Sequence, residues 1–319
     1  MIRKRNECAN LAVEETLKWK RLLALRHWLA WLGMAILYVL SYLPFSWQRA
    51  LGAKLGLLAM RLLKSRRRIT AINLKLCFPE LDASAREKLL VHSFRMLGIG
   101  TLLSGLAWWG STKRIRKLIT QVRGLEHVEQ AQEKGKGIIL LSAHFVTAEL
   151  GGRISSLLLP VPLNIMHRRQ SSDVAEYVLQ QARHRYIKDV ILRANVRQML
   201  RCLKNNEGIF YLPDQNFEQE HSIFVPFMGV NTLTLSATAR FAKMNDCAVV
   251  PCFCFIRDDG KGIDVEYFPA LENYPSGDEV ADTTRINQIF EDVIRQHPAQ
   301  YMWLHRRFKI RPPGEASVY

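Results

Sequence analysis

Gly137-Ile138-Ile139-Leu140-Leu141-Ser142-Ala143-His144-Phe145-Val146-Thr147-Ala148-Glu149 is the stretch on which the reading of this chain turns. Four consecutive aliphatic residues bounded by turn formers have the length of a buried strand, and the run after His144 is compatible with a helix. The chain therefore passes from a buried strand straight into a histidine, with an acid five residues on. On a regular helix that gap separates two side chains by about 140°, so they do not share a metal on one helix face. They meet if His144 stands in the turn ahead of the helix and Glu149 in its first turns. The carboxylate then accepts from one imidazole nitrogen, fixes the tautomer and leaves the other nitrogen basic. The spacing alone is a common one and leaves a purely structural histidine open.

Outward from this stretch the pattern alternates. Strand candidates fall at 163–166, 208–212, 223–227, 248–256 and 263–268, and helical periods at 83–106, 126–134, 174–185, 196–205, 235–244 and 283–297. The alternation predicts an α/β fold with a largely parallel central sheet flanked by helices, whose sites gather where strands end. Cys252 and Cys254 alternate with Phe253 and Phe255, which places both thiols on one strand face. The six cysteines show no CxxC pair and read as small apolar residues.

The 319 residues are 48% hydrophobic and 23% charged, the composition of a packed protein, and the formal net charge is +16. Such an excess implies an anionic partner. Fifteen basic side chains precede Glu80 against three acidic ones, and they surround a stretch from His27 to Gln48 with no charged side chain. That layout favours a membrane over nucleic acid, for which no zinc-finger or RNA-recognition signature is present. The reading is a basic leader over 1–26 and a membrane-anchoring helix over 27–48, with Trp28, Trp31, Tyr42 and Trp47 near its ends and Pro44 ending or kinking it. A basic amphipathic interfacial helix over 49–70 follows, with Leu51, Leu55, Leu58 and Leu62 beside Arg61, Lys64 and Arg66-Arg67-Arg68.

HFVTAE over 144–149 resembles the His-X4-Asp/Glu motif of glycerolipid-type acyltransferases. INLKLCFPEL over 72–81, FYLPDQN over 210–216, FVPF over 224–227 and YMWLHRRFKIRPPGE over 301–315 resemble the late acyltransferases of lipid A biosynthesis, the last phrase more the lauroyl than the myristoyl branch. The resemblance covers nearly the whole chain from Trp28 onward and makes 71–319 an acyltransferase domain. It implies transfer of an acyl chain from acyl carrier protein to a hydroxyl of a 3-hydroxyacyl chain on a Kdo-bearing lipid A precursor. The setting it implies is the cytoplasmic face of a bacterial inner membrane, without cofactor or metal. His144 is then the base and Glu149 its orienter, with backbone N–H groups at the following helix start meeting the oxyanion. Arg168, Asp214 and Arg193 are expected to bind the acceptor, with Thr232 or Thr234 nearby; His305, Arg306 and Arg307 resemble the family without an evident role. Alternatives are the same chemistry on a lysophospholipid or glycolipid, a non-catalytic lipid-binding protein, and a metallohydrolase for which no ligand set stands out.

Overall fold

Proline has no N–H to donate and fixes its own φ, so Pro44 marks where one helix must stop and the next start. The computed structural model describes residues 22–216 and 222–319, and most of the basic leader lies outside the described residues. Its N-terminal part holds α1 (Trp28–Leu40), α2 (Phe45–Leu62), α3 (Lys64–Cys77) and α4 (Ala83–Trp109). The single anchoring helix expected over 27–48 is thus divided, with Pro44 as the residue preceding α2. The turn between α1 and α2 is held by four hydrogen bonds. Gln48 Nε2 reaches Ser41 O at 2.9 Å and Leu43 O at 3.0 Å, and the Arg114 guanidinium reaches the same two carbonyls at 2.9 and 2.8 Å. The interfacial helix expected over 49–70 is likewise divided, because Leu63 leaves helical geometry at φ −91°, ψ 59°.

Small residues decide how α2 meets α4. Gly52 and Gly56 lie four apart on one face of α2, and a Cβ on Gly56 would stand 1.9 Å from Phe94 O. Across the crossing, a Cβ on Gly98 of α4 would stand 2.0 Å from Gly52 O. The backbones touch because neither helix carries a side chain there, as in small-xxx-small helix pairs. By length and apolarity α4 is the candidate membrane span among the described residues, yet 56% of its apolar window is buried inside the protein. It is a core helix.

The remaining elements are α5 (Thr112–Leu118), β1 (Ile119–Arg123), α6 (Leu125–Glu133), β2 (Ile138–Leu141), α7 (Ala148–Leu158), β3 (Leu163–His167), α8 (Asp173–Arg183), β4 (Val190–Leu192), α9 (Val196–Lys204), β5 (Gly208–Tyr211), β6 (Ser222–Phe227), β7 (Val230–Leu235), α10 (Ala237–Asn245), β8 (Ala248–Ile256), β9 (Ile263–Tyr267) and α11 (Glu279–Gln296). The main sheet has the order β1-β9-β8-β2-β5-β3-β4, with every pairing parallel except β8 with β9. The largely parallel α/β sheet read from the sequence is what forms. Three strands escaped that reading. β1 is a polar edge strand, β4 has three residues, and β7 (VNTLTL) breaks its alternation at the adjacent polar Asn231 and Thr232. β6 and β7 stand apart as a two-stranded antiparallel hairpin. Met228 and Gly229, both at positive φ (52° and 75°), make its two-residue turn, the geometry whose twist matches paired strands.

Successive strand residues face opposite ways, so the sheet builds two cores. Ile139, Leu141, Phe253 and Phe255 enter one, with Met199 and Leu203 of α9 and Phe290 and Ile294 of α11. Ile138, Leu140, Cys252 and Cys254 enter the other, with Leu103 of α4 and Leu150 and Ile154 of α7. The alternation expected of Cys252 and Cys254 holds, and the five described cysteines are all buried.

Replacing Gly98 with valine must separate α2 from α4. Overpacking of this kind costs about 1–3 kcal/mol and more where backbone is the obstacle. Thermal unfolding in detergent should show a clear fall in midpoint for Gly98→Val. Gly33→Ala on the open face of α1, where an added Cβ meets nothing within 4 Å, should leave it unchanged or raised.

Candidate active site

The parallel pairing of β2 with β5 sets Leu141 opposite Tyr211. Three residues beyond each partner stand His144 and Asp214, at the carboxyl ends of two adjacent strands. Both Asp214 oxygens are used by this geometry. Oδ1 lies 2.6 Å from His144 Nδ1, and Oδ2 accepts the His144 backbone N–H at 3.0 Å. Tyr301 donates its hydroxyl to Oδ2 at 2.9 Å. Burial alone pushes the Asp214 carboxyl up, but the neighbouring His144 and these hydrogen bonds outweigh it and hold the pKa below the usual value. With Nδ1 turned to a charged carboxylate, Nε2 is left as the basic nitrogen. The His144 side chain keeps 28% exposure while that of Asp214 has none, so the imidazole is reachable from solvent and the carboxylate is not.

The C-terminal segment closes over this pair. Val146 N donates to Gln300 O at 2.8 Å, Met302 N donates to His144 O at 3.0 Å, and Phe145 bridges to Tyr301. Arg307 is 3% exposed and ties the β6–β7 hairpin to that segment. Its guanidinium donates to Leu233 O (2.6 Å) and Thr234 Oγ1 (2.7 Å), and its carbonyl accepts from Thr232 Oγ1 (3.0 Å) and Asn216 Nδ2 (3.2 Å). Thr232, Thr234 and Arg307 are thereby fastenings that hold the hairpin beside the site. Arg306 is exposed, its guanidinium 5.9 Å from the Tyr319 ring centre. His305 lies within electrostatic reach of Asp214 and His144, and burial pulls its pKa down to about 4, so this second imidazole is neutral at neutral pH.

Glu149 has other partners than the expected one. It stands in the first turn of α7, and its two oxygens take Arg183 Nε at 3.0 Å and Nη2 at 2.6 Å, with the Tyr186 hydroxyl at 3.1 Å. Arg183 also donates to His167 Nδ1 at 3.0 Å, and His167 Nε2 faces both oxygens of Glu176 at 3.0 and 2.9 Å. Burial pushes the Glu149 carboxyl up, and the Arg183 charge and hydrogen bonds overcome it, leaving the pKa below its ordinary value. The imidazole of His144 is thus oriented by Asp214, and Glu149 is the fixed anion of a buried ion pair. The expectation that Glu149 holds His144 is corrected by the strand register: Asp214 is delivered beside His144, while a residue inside α7 faces α8.

Arg183 was missed in the sequence. The available signal was a cation four residues after the buried Leu179 and next to the buried Ala182. Arg168 and Arg193 are exposed at the ends of β3 and β4, and Asp214 belongs to His144 instead of standing open to a ligand. Three backbone donors after His144 are already engaged: Phe145 N to Ala143 O, Val146 N to Gln300 O and Ala148 N to Phe145 O.

The depressed pKa of Glu149 has a stability consequence with a definite sign. Its ion pair contributes fully above the ordinary value of 4.5 and is lost as pH falls through the lower folded value. Breaking such a buried pair costs on the order of 3–5 kcal/mol. Urea unfolding of wild type and Glu149→Gln should therefore differ by that order at pH 7 and converge as the pH drops below 4.5. A difference independent of pH would mean that the carboxylate charge is not what Arg183 holds.

Residues 16–310 match the family described as bacterial lipid A biosynthesis acyltransferase. Similar proteins include the lipid A biosynthesis palmitoleoyltransferase and lauroyltransferase of Escherichia coli (strain K12), each 35% identical over 295 residues, covering 92% of this chain and 95% of the relative. The lipid A biosynthesis myristoyltransferase of the same strain is 28% identical over 296 residues, covering 92% and 91%. The match over residues 16–310 and the identity to these relatives along nine-tenths of the chain show that it is an acyltransferase belonging to the bacterial lipid A biosynthesis acyltransferase family.

Proposed function

We propose that the protein transfers a fatty acyl chain from acyl carrier protein to a hydroxyl of a 3-hydroxyacyl chain on a Kdo-bearing lipid A precursor. The His144–Asp214 pair is the observation that carries this reading. A secondary hydroxyl is a poor nucleophile until a positioned base takes its proton as the new bond forms. Nε2 of His144 accepts that proton, and the Asp214 carboxylate stabilises the imidazolium that results. Attack on the thioester carbonyl gives a tetrahedral oxyanion, whose collapse expels the carrier thiolate, and the imidazolium returns a proton to it. With the donors of Phe145, Val146 and Ala148 engaged, the N–H groups of Thr147 and Glu149 are the ones we assign to the oxyanion. Direct transfer needs no acyl-enzyme. Arg168, at the end of β3, is assigned to an anionic group of the acceptor.

Among the acyl groups named in its relatives, lauroyl is the one we favour, on the likeness of the C-terminal phrase. The setting proposed is the cytoplasmic face of a bacterial inner membrane. Trp28 (62%), Leu29 (84%), Leu32 (57%), Ile36 (50%) and Val39 (65%) of α1 are exposed, an apolar face that water does not favour. At 13 residues α1 rises about 20 Å, short of the roughly 30 Å hydrocarbon core, so it enters one leaflet. The exposed leucines of α2 (Leu55, Leu58, Leu62) lie alongside, followed by Arg66, Arg67 and Arg68 at the headgroup level.

Two measurements test this. With purified protein, acyl carrier protein thioesters and a panel of acceptors including lysophospholipids, mass spectrometry should find acylated Kdo-bearing precursor. His144→Ala and Asp214→Asn should lower kcat by roughly 10²–10⁴ with KM little changed. Full turnover by either variant refutes the base assignment, and a product only from lysophospholipid refutes the acceptor. For the anchor, Ile36→Glu with Val39→Glu should shift the protein from floating with vesicles to the soluble fraction.

A further inference from the structure

A second feature at the catalytic end of the sheet is unused by the chemistry above. β3 and β4 pair in parallel with His167 opposite Leu192, so Arg168 and Arg193 follow side by side. Arg193 then opens a line of exposed cations along α9: Arg197, Arg201 and Lys204, at helical spacing, on a helix with no acidic residue. At the head of the line Leu192 is 49% exposed, a large apolar side chain outside the anchoring helices. Single exposed apolar side chains are common, as Met244 (61%) and Val280 (55%) show here, and it is the place of Leu192 beside the cations that gives it a use.

Position selects the occupant. With the order β2-β5-β3-β4 and about 4.8 Å between strands, β4 lies about 14 Å from the strand that delivers His144. That distance suits a protein that docks at the surface and sends a flexible thioester-bearing arm to the base. Helix α9 packs on the sheet face of Ile139 and Leu141, and α7 on the opposite face. The crossover through α8 runs in the same direction across the sheet as that through α7, and right-handedness puts α8 on α7's side. The lipid-facing helix α1 packs against α8, with Trp31 against Tyr177. The cationic line is therefore on the face away from α1, which favours an acidic protein over lipid headgroups.

We infer that Leu192 with Arg193, Arg197 and Arg201 forms the docking surface for the acidic acyl carrier protein that brings the donor. This rests on the donor proposed above and names where it binds. Opposite charge steers the encounter and sets its salt dependence, and the apolar centre supplies contact once docked.

The test uses the full-length enzyme and two donors of the same acyl length, the acyl carrier protein thioester and the small pantetheine thioester. Arg197→Glu with Arg201→Glu should raise KM for the carrier thioester at least tenfold and flatten its salt dependence. Turnover of the pantetheine thioester and the unfolding midpoint should stay unchanged. Should the double reversal fail to fold, Arg197→Gln and Arg201→Gln should each raise the same KM several-fold. An unchanged KM for the carrier thioester overturns the assignment, as does an effect confined to vesicle binding or to the acceptor's KM. A wild-type enzyme that uses the pantetheine thioester but never the carrier thioester sinks the donor proposal itself, and this surface with it.

Discussion

The register of one parallel strand pair carries the site. Leu141 lies opposite Tyr211, and each chain then advances three residues, to His144 and to Asp214. A one-residue slip would turn every side chain of the strand to the other face. It would exchange Ile138 and Leu140 for Ile139 and Leu141 between two differently shaped cores. Packing on both faces of the sheet therefore fixes a hydrogen bond of 2.6 Å that neither residue's local sequence specifies. The backbone N–H of His144 binds the same carboxylate as its ring, so main chain and side chain are set by one group.

Around this pair the charges are sorted into two separate circuits. Asp214 keeps its charge in a buried place because an imidazole, a main-chain N–H and the Tyr301 hydroxyl all donate to it. Glu149 keeps its charge because Arg183 meets it with two parallel donors, the strong fork geometry of guanidinium and carboxylate. Glu149 is thereby neutralised within its own pair with Arg183. Its place in the first turn of α7 suits a helix N-terminus, and through Arg183 it fixes α8 and His167 behind the site.

Much of the fold was legible because apolar runs and helical periods report burial directly. β2, β3, β5 and β8 are largely apolar runs, β9 (IDVEY) alternates buried with half-buried residues, and the alternation of Cys252 and Cys254 with phenylalanines placed them on their face. Polar β1, three-residue β4 and mixed β7 carried too little pattern to be seen. Within the site, His144 was legible from its place after a buried strand, and its partner was not. Distance along the chain favoured Glu149, five residues on, whereas contact across the sheet chose Asp214, seventy residues on. Arg183 shows the same limit: a cation on an apolar helix face signals a buried partner without naming it. Pro44 was legible as a break, but that Gln48 and Arg114 would hold the resulting turn depends on α5 folding back onto it.

The glycine crossing and the C-terminal segment join the N-terminal helices to the His144–Asp214 pair. α2 is pressed onto α4 through Gly52, Gly56 and Gly98, leaving its leucines outward. Asn73 of α3 donates to Trp303 O at 2.7 Å and to His305 O at 2.8 Å, and the Tyr319 hydroxyl donates to Asn73 Oδ1. The segment so held is the one that gives Tyr301 to Asp214 and a backbone donor to the His144 carbonyl. A helix two elements beyond α1 thus bonds directly to the segment that covers His144. In the function proposed above, this fixed linkage sets the height of His144 Nε2 relative to the lipid surface. The same linkage accounts for the burial of Arg307 and Asn73, two polar side chains that tie the C-terminal segment to the hairpin and to α3.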